Sequence, residues 1–274
     1  MIKYIHCFGT SYSAGGGHEF DGNRDKEYLY HLKNEYKKLY PDEVQTLFNF
    51  SYPGQLQKLV GNEIKVINHA KSGYGNERLY RIVWDIVSNP DFNSDEHLFL
   101  LEFSGIGRKT IWSNTLNSYI ITNYRIEDDN KTLTYNGSAV DYYYDSNEVV
   151  NKITKIETEI ISPFYKETIN MDTIMKQIDM NTDFFLSYMI QFSCKFLFTS
   201  PPYYDHNAFF RNEKYYIDFE KNHCFVTYYG SNNYTIESDT NGKCKDGHMG
   251  MTGAKIVSKI IYQHLLDHKF IDKK

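Results

Sequence analysis

The chain has 274 residues, enough to bury a large core and somewhat more than one mid-sized domain needs, so a single domain with an insertion competes with two domains. Its formal charge of -5 comes from 30 basic and 35 acidic residues with no long block of either sign, which argues against nucleic acid or an anionic membrane and for a neutral or polar small-molecule partner. No apolar run approaches the roughly 20 residues that span a bilayer, and the four cysteines (Cys7, Cys194, Cys224, Cys244) contain no Cys-x-x-Cys pair, which argues against a structural zinc site and fits buried thiols in a reducing compartment.

The first residues form a strand directly, without a basic region or an apolar signal core, so a soluble, cytoplasmic protein is expected. That strand, over residues 2–8, breaks into Gly9-Thr10-Ser11-Tyr12-Ser13-Ala14-Gly15-Gly16-Gly17. A β-prone run that gives way to glycine and serine is a strand handing over to an exposed turn, which places Ser11 at the strand's carboxyl edge. Residues 24–40 carry an amphipathic helical stripe stopped by Pro41. Ser51-Tyr52-Pro53-Gly54 starts another helix, with Leu56, Leu59 and Val60 as its apolar face and Gly61 as its end. A second strand over 64–68 runs into His69-Ala70-Lys71-Ser72-Gly73-Tyr74-Gly75-Asn76, and a helix over 77–89 follows with Leu79, Ile82, Val83 and Ile86 on one face. Residues 98–103 form a third, nearly all-apolar strand, hence a central one, which ends in Ser104-Gly105-Ile106-Gly107-Arg108.

Three strand, loop, helix units in succession predict right-handed parallel crossovers, with all three loops opening on one edge of one sheet. The pattern then changes. Residues 110–165 are rich in Tyr, Thr, Ile and Asn, with turn signals at Asp128-Asp129-Asn130 and Tyr135-Asn136-Gly137, and predict β-hairpins in an insertion within a single domain over 1–274. That segment either decorates the fold or covers the site. A helix over 171–193 and a fourth parallel strand over 195–200, stopped by Pro201-Pro202, come next. The stretch 203–239 reads as irregular, with short strands at 215–219 and 224–229. A loop at Asp246-Gly247-His248-Met249-Gly250-Met251-Thr252-Gly253 leads into a last helix, ending near His268, on which Ile256, Val257, Ile260, Ile261 and Leu265 are apolar.

Together these loops resemble the four blocks of the SGNH (GDSL-type) serine hydrolases, a family of esterases and lipases. Gly9-Thr10-Ser11 is similar to the first block, Asn68-His69-Ala70-Lys71-Ser72-Gly73 to the second, Thr199-Ser200-Pro201-Pro202 to the fourth-strand ending, and Asp246-Gly247-His248 to the closing block. The resemblance leaves out roughly 110–170 and 203–240. It implies a three-layer α/β/α sandwich around a mostly parallel, flavodoxin-like sheet of about five strands. It also implies Ser11 as nucleophile, His248 as base and Asp246 as the acid that orients it, with the backbone N–H groups of Ser11 and Gly73 in an oxyanion hole and no cofactor or metal.

Such a set is what acyl transfer needs. A serine hydroxyl attacks at neutral pH only when an imidazole accepts its proton, and a carboxylate on the other ring nitrogen fixes the tautomer. Each pre-aimed donor to the oxyanion is worth roughly 2.7 to 4 kcal/mol in the transition state. The chain departs from the family pattern at three places. Thr10 replaces an Asp, Lys245 stands where the closing Asp usually does so that Asp246 lies one residue nearer the His, and Gly107 replaces the third-block Asn that donates to the oxyanion. Asn76, Ser104 or Arg108 would then supply a substitute donor, and Arg108 could instead grip a substrate carboxylate or phosphate. His18, His69 and His206 lack the spacing of a metal set.

The expected activity is hydrolysis of an ester, such as an O-acetyl or short acyl group on a carbohydrate. The missing Asn keeps open a catalytically weak or inactive glycan-binding or virion or other surface protein on the same fold, and a sugar O-acyltransferase would use the same residues. The lack of a Gly-x-Ser-x-Gly elbow separates the chain from the α/β-hydrolases.

Overall fold

The computed structural model describes residues 1–9, 48–49, 51–70, 75–103, 108–113, 118–126, 133–140, 171–199, 215, 217, 235–236, 246–249 and 251–272. The elements, in chain order, are β1 (Tyr4–Phe8), α1 (Tyr52–Val60), β2 (Lys65–Asn68), α2 (Asn76–Val87), β3 (His97–Glu102), β4 (Arg108–Ser113), β5 (Ser118–Ile126), β6 (Leu133–Val140), α3 (Met171–Gln191), β7 (Lys195–Thr199), β8 (Thr235–Ile236), β9 (Asp246–Met249) and α4 (Met251–Asp267).

The chain has α/β character, built on a sheet that among the described residues has four strands, all parallel, in the order β2-β1-β3-β7. Side chains alternate along these strands, and each parity is buried in a different cluster. Ile5, Cys7, Leu98, Leu100 and Leu197 share one cluster with Leu56 and Val60 of α1 and with Val257, Ile261 and Leu265 of α4. Phe8, Phe99, Leu101 and Phe196 share the other with Leu79, Val83 and Val87 of α2 and with Phe185, Leu186 and Met189 of α3. Both faces of β3 are therefore apolar, as its near-continuous hydrophobic run requires, and β3 lies between β1 and β7. Each fully buried Leu or Phe contributes about 1.5–3 kcal/mol relative to exposure.

Local chemistry sets the helix ends. The Ser51 backbone is extended and its hydroxyl accepts from the Gly54 N–H at 3.4 Å, Pro53 stands in the first turn, and Gly61 ends α1 at φ 76°. Gly54 is required at its place, because a Cβ there would lie 1.8 Å from the Phe48 carbonyl oxygen. Gln57 ties α1 to β2. Its amide donates to the carbonyls of Gly61 (2.7 Å) and Ile64 (2.9 Å), and its oxygen accepts from the Val66 N–H (2.8 Å).

Beyond the parallel sheet, β4, β5 and β6 form an antiparallel sheet that starts at Arg108, and β4 lies against α2. Three sequence expectations are corrected here. Asn136-Gly137 is not a hairpin turn: both residues lie inside β6 opposite Asn123 alone, between the pairs Thr122–Ser138 and Tyr124–Tyr135, so the pair that favours a turn is absorbed as a β-bulge. Tyr215 stands in a turn and Ile217 has no strand geometry, and Ile217 is buried in the cluster of α1 and α4. Asp246–Met249, expected as a loop, is a strand paired antiparallel with β8, because the backbone of this segment finds hydrogen-bond partners in residues the sequence reads as irregular. The helix over 24–40, the turn at 128–130, residues 141–165 and the strand at 224–229 lie outside the described residues.

Candidate active site

The parallel sheet directs the carboxyl ends of β1, β2 and β3 to one edge, the usual place for ligands in open α/β sheets. A small cleft opens there. Phe8 and Gly9 line it from the end of β1, His69 from just beyond β2, Gly75, Asn76, Arg78 and Leu79 from the start of α2, and Glu102 from the end of β3. The His69 N–H donates to the Cys7 carbonyl at 2.8 Å, which extends the β1–β2 pairing by one residue. The Asn68 side-chain oxygen then accepts from the Ala70 N–H at 3.1 Å and turns the chain away. Arg78 Nη1 donates to the His69 carbonyl at 2.6 Å and ties the first turn of α2 to the end of β2. Gly75 precedes α2 without a side-chain cap, so the positive end of the helix dipole faces the cleft.

Two polar side chains are buried on these walls: Asn76 is 9% exposed and Glu102 8%. A carboxylate is seldom buried unless it is partnered, and Glu102 directly follows the apolar run Leu98-Phe99-Leu100-Leu101. That position was a readable signal, and it escaped the motif comparison because Glu102 precedes the block at Ser104.

Behind the cleft three imidazoles form a chain. His6 Nδ1 lies 3.0 Å from His69 Nε2, and His6 Nε2 lies 2.9 Å from His97 Nδ1. His6 is 4% exposed; its ring lies edge to edge with those of both partners, within 17° of parallel, and beside Phe99, while His69 packs on Phe8 and His97 on Tyr4. Burial holds His6 down at about 3, helped by its two neighbouring histidines, and His69 at about 4, helped by Arg78. His97 is lowered by burial and partly restored by Glu96. The nitrogens meet one another instead of a common centre, and among the described residues no group of three or more His, Cys, Asp or Glu could hold a metal ion.

The residues expected from the sequence fall into three groups. Asn76 is in the cleft, as the first residue of α2. Arg108 begins β4, and Asp246 and His248 lie on β9 directly before α4. Asp246 is paired with Ile236, while Gly247 and His248 fall in the irregularity before the Met249–Thr235 pair. Ser11, Gly73, Ser104 and Gly107 lie outside the described residues, although Gly9, Gly75 and Glu102, their near neighbours in the chain, all line the cleft. Sequence reasoning passed over His6, His97, Arg78 and Glu102. For the two histidines the signal was a polar residue at the head of, or inside, an apolar strand. No helix among the described residues is long and apolar enough to cross a membrane. Comparison with protein-family models, with curated proteins and with solved structures finds no match for this chain.

Proposed function

We propose that the chain is a serine ester hydrolase of the SGNH type, a three-layer α/β/α sandwich with a flavodoxin-like sheet of about five strands and a β-rich insertion over 110–165. The observation that carries this reading is the cleft where the ends of β1, β2 and β3 meet, since the first two blocks that resemble the family's motifs begin at the ends of β1 and β2, and the third block, which departs from the pattern at Gly107, follows β3. In this reading Ser11 Oγ attacks the acyl carbon while His248 takes its proton, and Asp246 holds the imidazole in the required tautomer. The tetrahedral oxyanion receives the N–H groups of Ser11 and Gly73. Asn76, which is buried on the cleft wall, Ser104 or Arg108 supplies the side-chain donor that Gly107 lacks, or Arg108 instead grips a substrate anion. His248 then protonates the leaving alkoxide, and water releases the acyl group from Ser11. The substrate class is an O-acetyl or short-acyl ester on a carbohydrate.

Labelling with a fluorophosphonate probe tests the assignment. Wild type is expected to label and Ser11→Ala to lose the label; equal labelling removes Ser11 as nucleophile. A second reading follows from Gly107 standing where the family places a side-chain donor. Glycan affinity without Ser11-dependent turnover of p-nitrophenyl acetate would make the chain a carbohydrate-binding protein, and acyl transfer to an added sugar would make it an O-acyltransferase.

A further inference from the structure

We propose that His97, His6 and His69 act as a proton relay that crosses the α2 and α3 face of the parallel sheet and exchanges a proton with whatever occupies the cleft, through the Nδ1 of His69. The inference does not depend on the roles proposed for Ser11 and His248.

The geometry fixes the logic. A neutral imidazole has one N–H and one lone pair. His6 uses both ring nitrogens, one toward each neighbour, so the row has two ordered arrangements. In the first, His69 Nε2–H donates to His6 Nδ1 and His6 Nε2–H donates to His97 Nδ1, which leaves His69 Nδ1 with a lone pair and His97 Nε2 with a proton. In the second every bond is reversed, with the proton on His69 Nδ1 and the lone pair on His97 Nε2. A proton taken up at His69 Nδ1 converts the first into the second. His69 Nε2–H passes to His6 Nδ1, His6 Nε2–H passes to His97 Nδ1, and His97 Nε2, on a half-buried ring, releases its proton to solvent water. One proton enters, one leaves, and no ring carries a net charge at the end. The reverse sequence delivers a proton to the cleft.

The row spans the sheet from edge to edge. His97 is the first residue of β3, at the amino edge, and its ring is half-buried; His69 follows β2 at the carboxyl edge and lines the cleft. His6 joins them from β1, in register with Ile67 and Phe99. Ring centroids are spaced 5.1 and 5.2 Å, and Phe99, Phe8, Phe92 and Tyr4 pack on the row. The opposite face of the same strands carries apolar side chains instead, among them Ile5, Cys7 and Leu98. The charges that face the row give it a direction. Glu96, held by Lys3 at 2.7 Å, favours a proton on His97, whereas Arg78 disfavours one on His69, and Glu102 stands on the wall of the cleft.

The test is ring 15N NMR on histidine-labelled full-length protein. Couplings across N–H···N bonds are expected for His6 Nδ1 with His69 Nε2 and for His6 Nε2 with His97 Nδ1. In His97→Phe, the nitrogen that carries the His69 proton is expected to change in population although residue 97 does not touch that ring, while His97→Gln, which can still donate and accept, keeps the wild-type state. Absent couplings in wild type, or a His69 tautomer unmoved in a folded His97→Phe, would overturn the relay; should His97→Phe not fold, the wild-type couplings decide.

Discussion

Acid should unfold this protein through its histidines before its carboxylates. His6 has its native value at about 3 and His69 at about 4, against an ordinary 6.5 for the unfolded chain. Both are therefore lowered on folding. Above pH 6.5 neither state binds the proton and the neutral rings cost nothing; below it the unfolded chain takes up protons that the native protein refuses, and stability is lost as the pH falls toward 4 and then 3. At roughly 1.4 kcal/mol per pH unit for each such group, going from pH 7 to pH 5 removes about 2 kcal/mol through His6 and about as much through His69. Together that is roughly 4 kcal/mol, a large share of the 5–15 kcal/mol (roughly) that holds a typical domain together. Urea unfolding followed by far-UV circular dichroism at pH 7, 6 and 5 measures the loss directly. His6→Gln, which can still bond to both neighbouring rings, should roughly halve the dependence on pH. A wild-type stability that is flat between pH 7 and 5, or a His6→Gln variant with the wild-type slope, would refute the argument.

Two further outcomes follow from packing. Gly54→Ala should destabilise by about 1–3 kcal/mol in urea unfolding, since the new methyl meets the Phe48 carbonyl and the first turn of α1 must move; a neutral result would show that the two segments are not in contact in solution. Cys7 and Cys194 are buried, and burial pushes the Cys7 thiol far up and the Cys194 thiol up to about 12. Alkylation by iodoacetamide at pH 8 should spare both in the native protein and modify both in urea, as read by peptide mass spectrometry.

The elements of the parallel sheet were legible because each unit carries its own punctuation. Ser51, Pro53 and Gly61 mark α1, Leu79, Ile82, Val83 and Ile86 recur at helical spacing in α2, and the run at 98–103 has no polar face to expose. Lateral neighbours were not legible. His6, His69 and His97 are far apart in sequence, and only the pairing of β1 with both β2 and β3 brings their rings together, a relation that periodicity along one strand does not encode. Turn signals misled where a partner strand was at hand: Gly247 suggested a loop, yet the segment pairs with β8, and Asn136-Gly137 became a bulge. Of the site, the sequence located the strand ends and Asn76, and it passed over Glu102, Arg78 and His6, whose significance lies in burial and in the element across from them.

Ile2 and Ile5 share a hydrophobic cluster with Leu265 and Ile271, so residues from opposite ends of the sequence complete the same core. During synthesis β1 emerges well before its partners β2 and β3, and α4, which shares its apolar cluster with α1, follows all three strands. Closing a loop of that length adds little to the equilibrium cost, which grows only with the logarithm of length, but it delays the event that makes the core cooperative. Until α4 docks, the face of the apolar parallel sheet that α1 and α4 share is only partly covered. The nascent chain is then most prone to self-association in the interval before α4 folds.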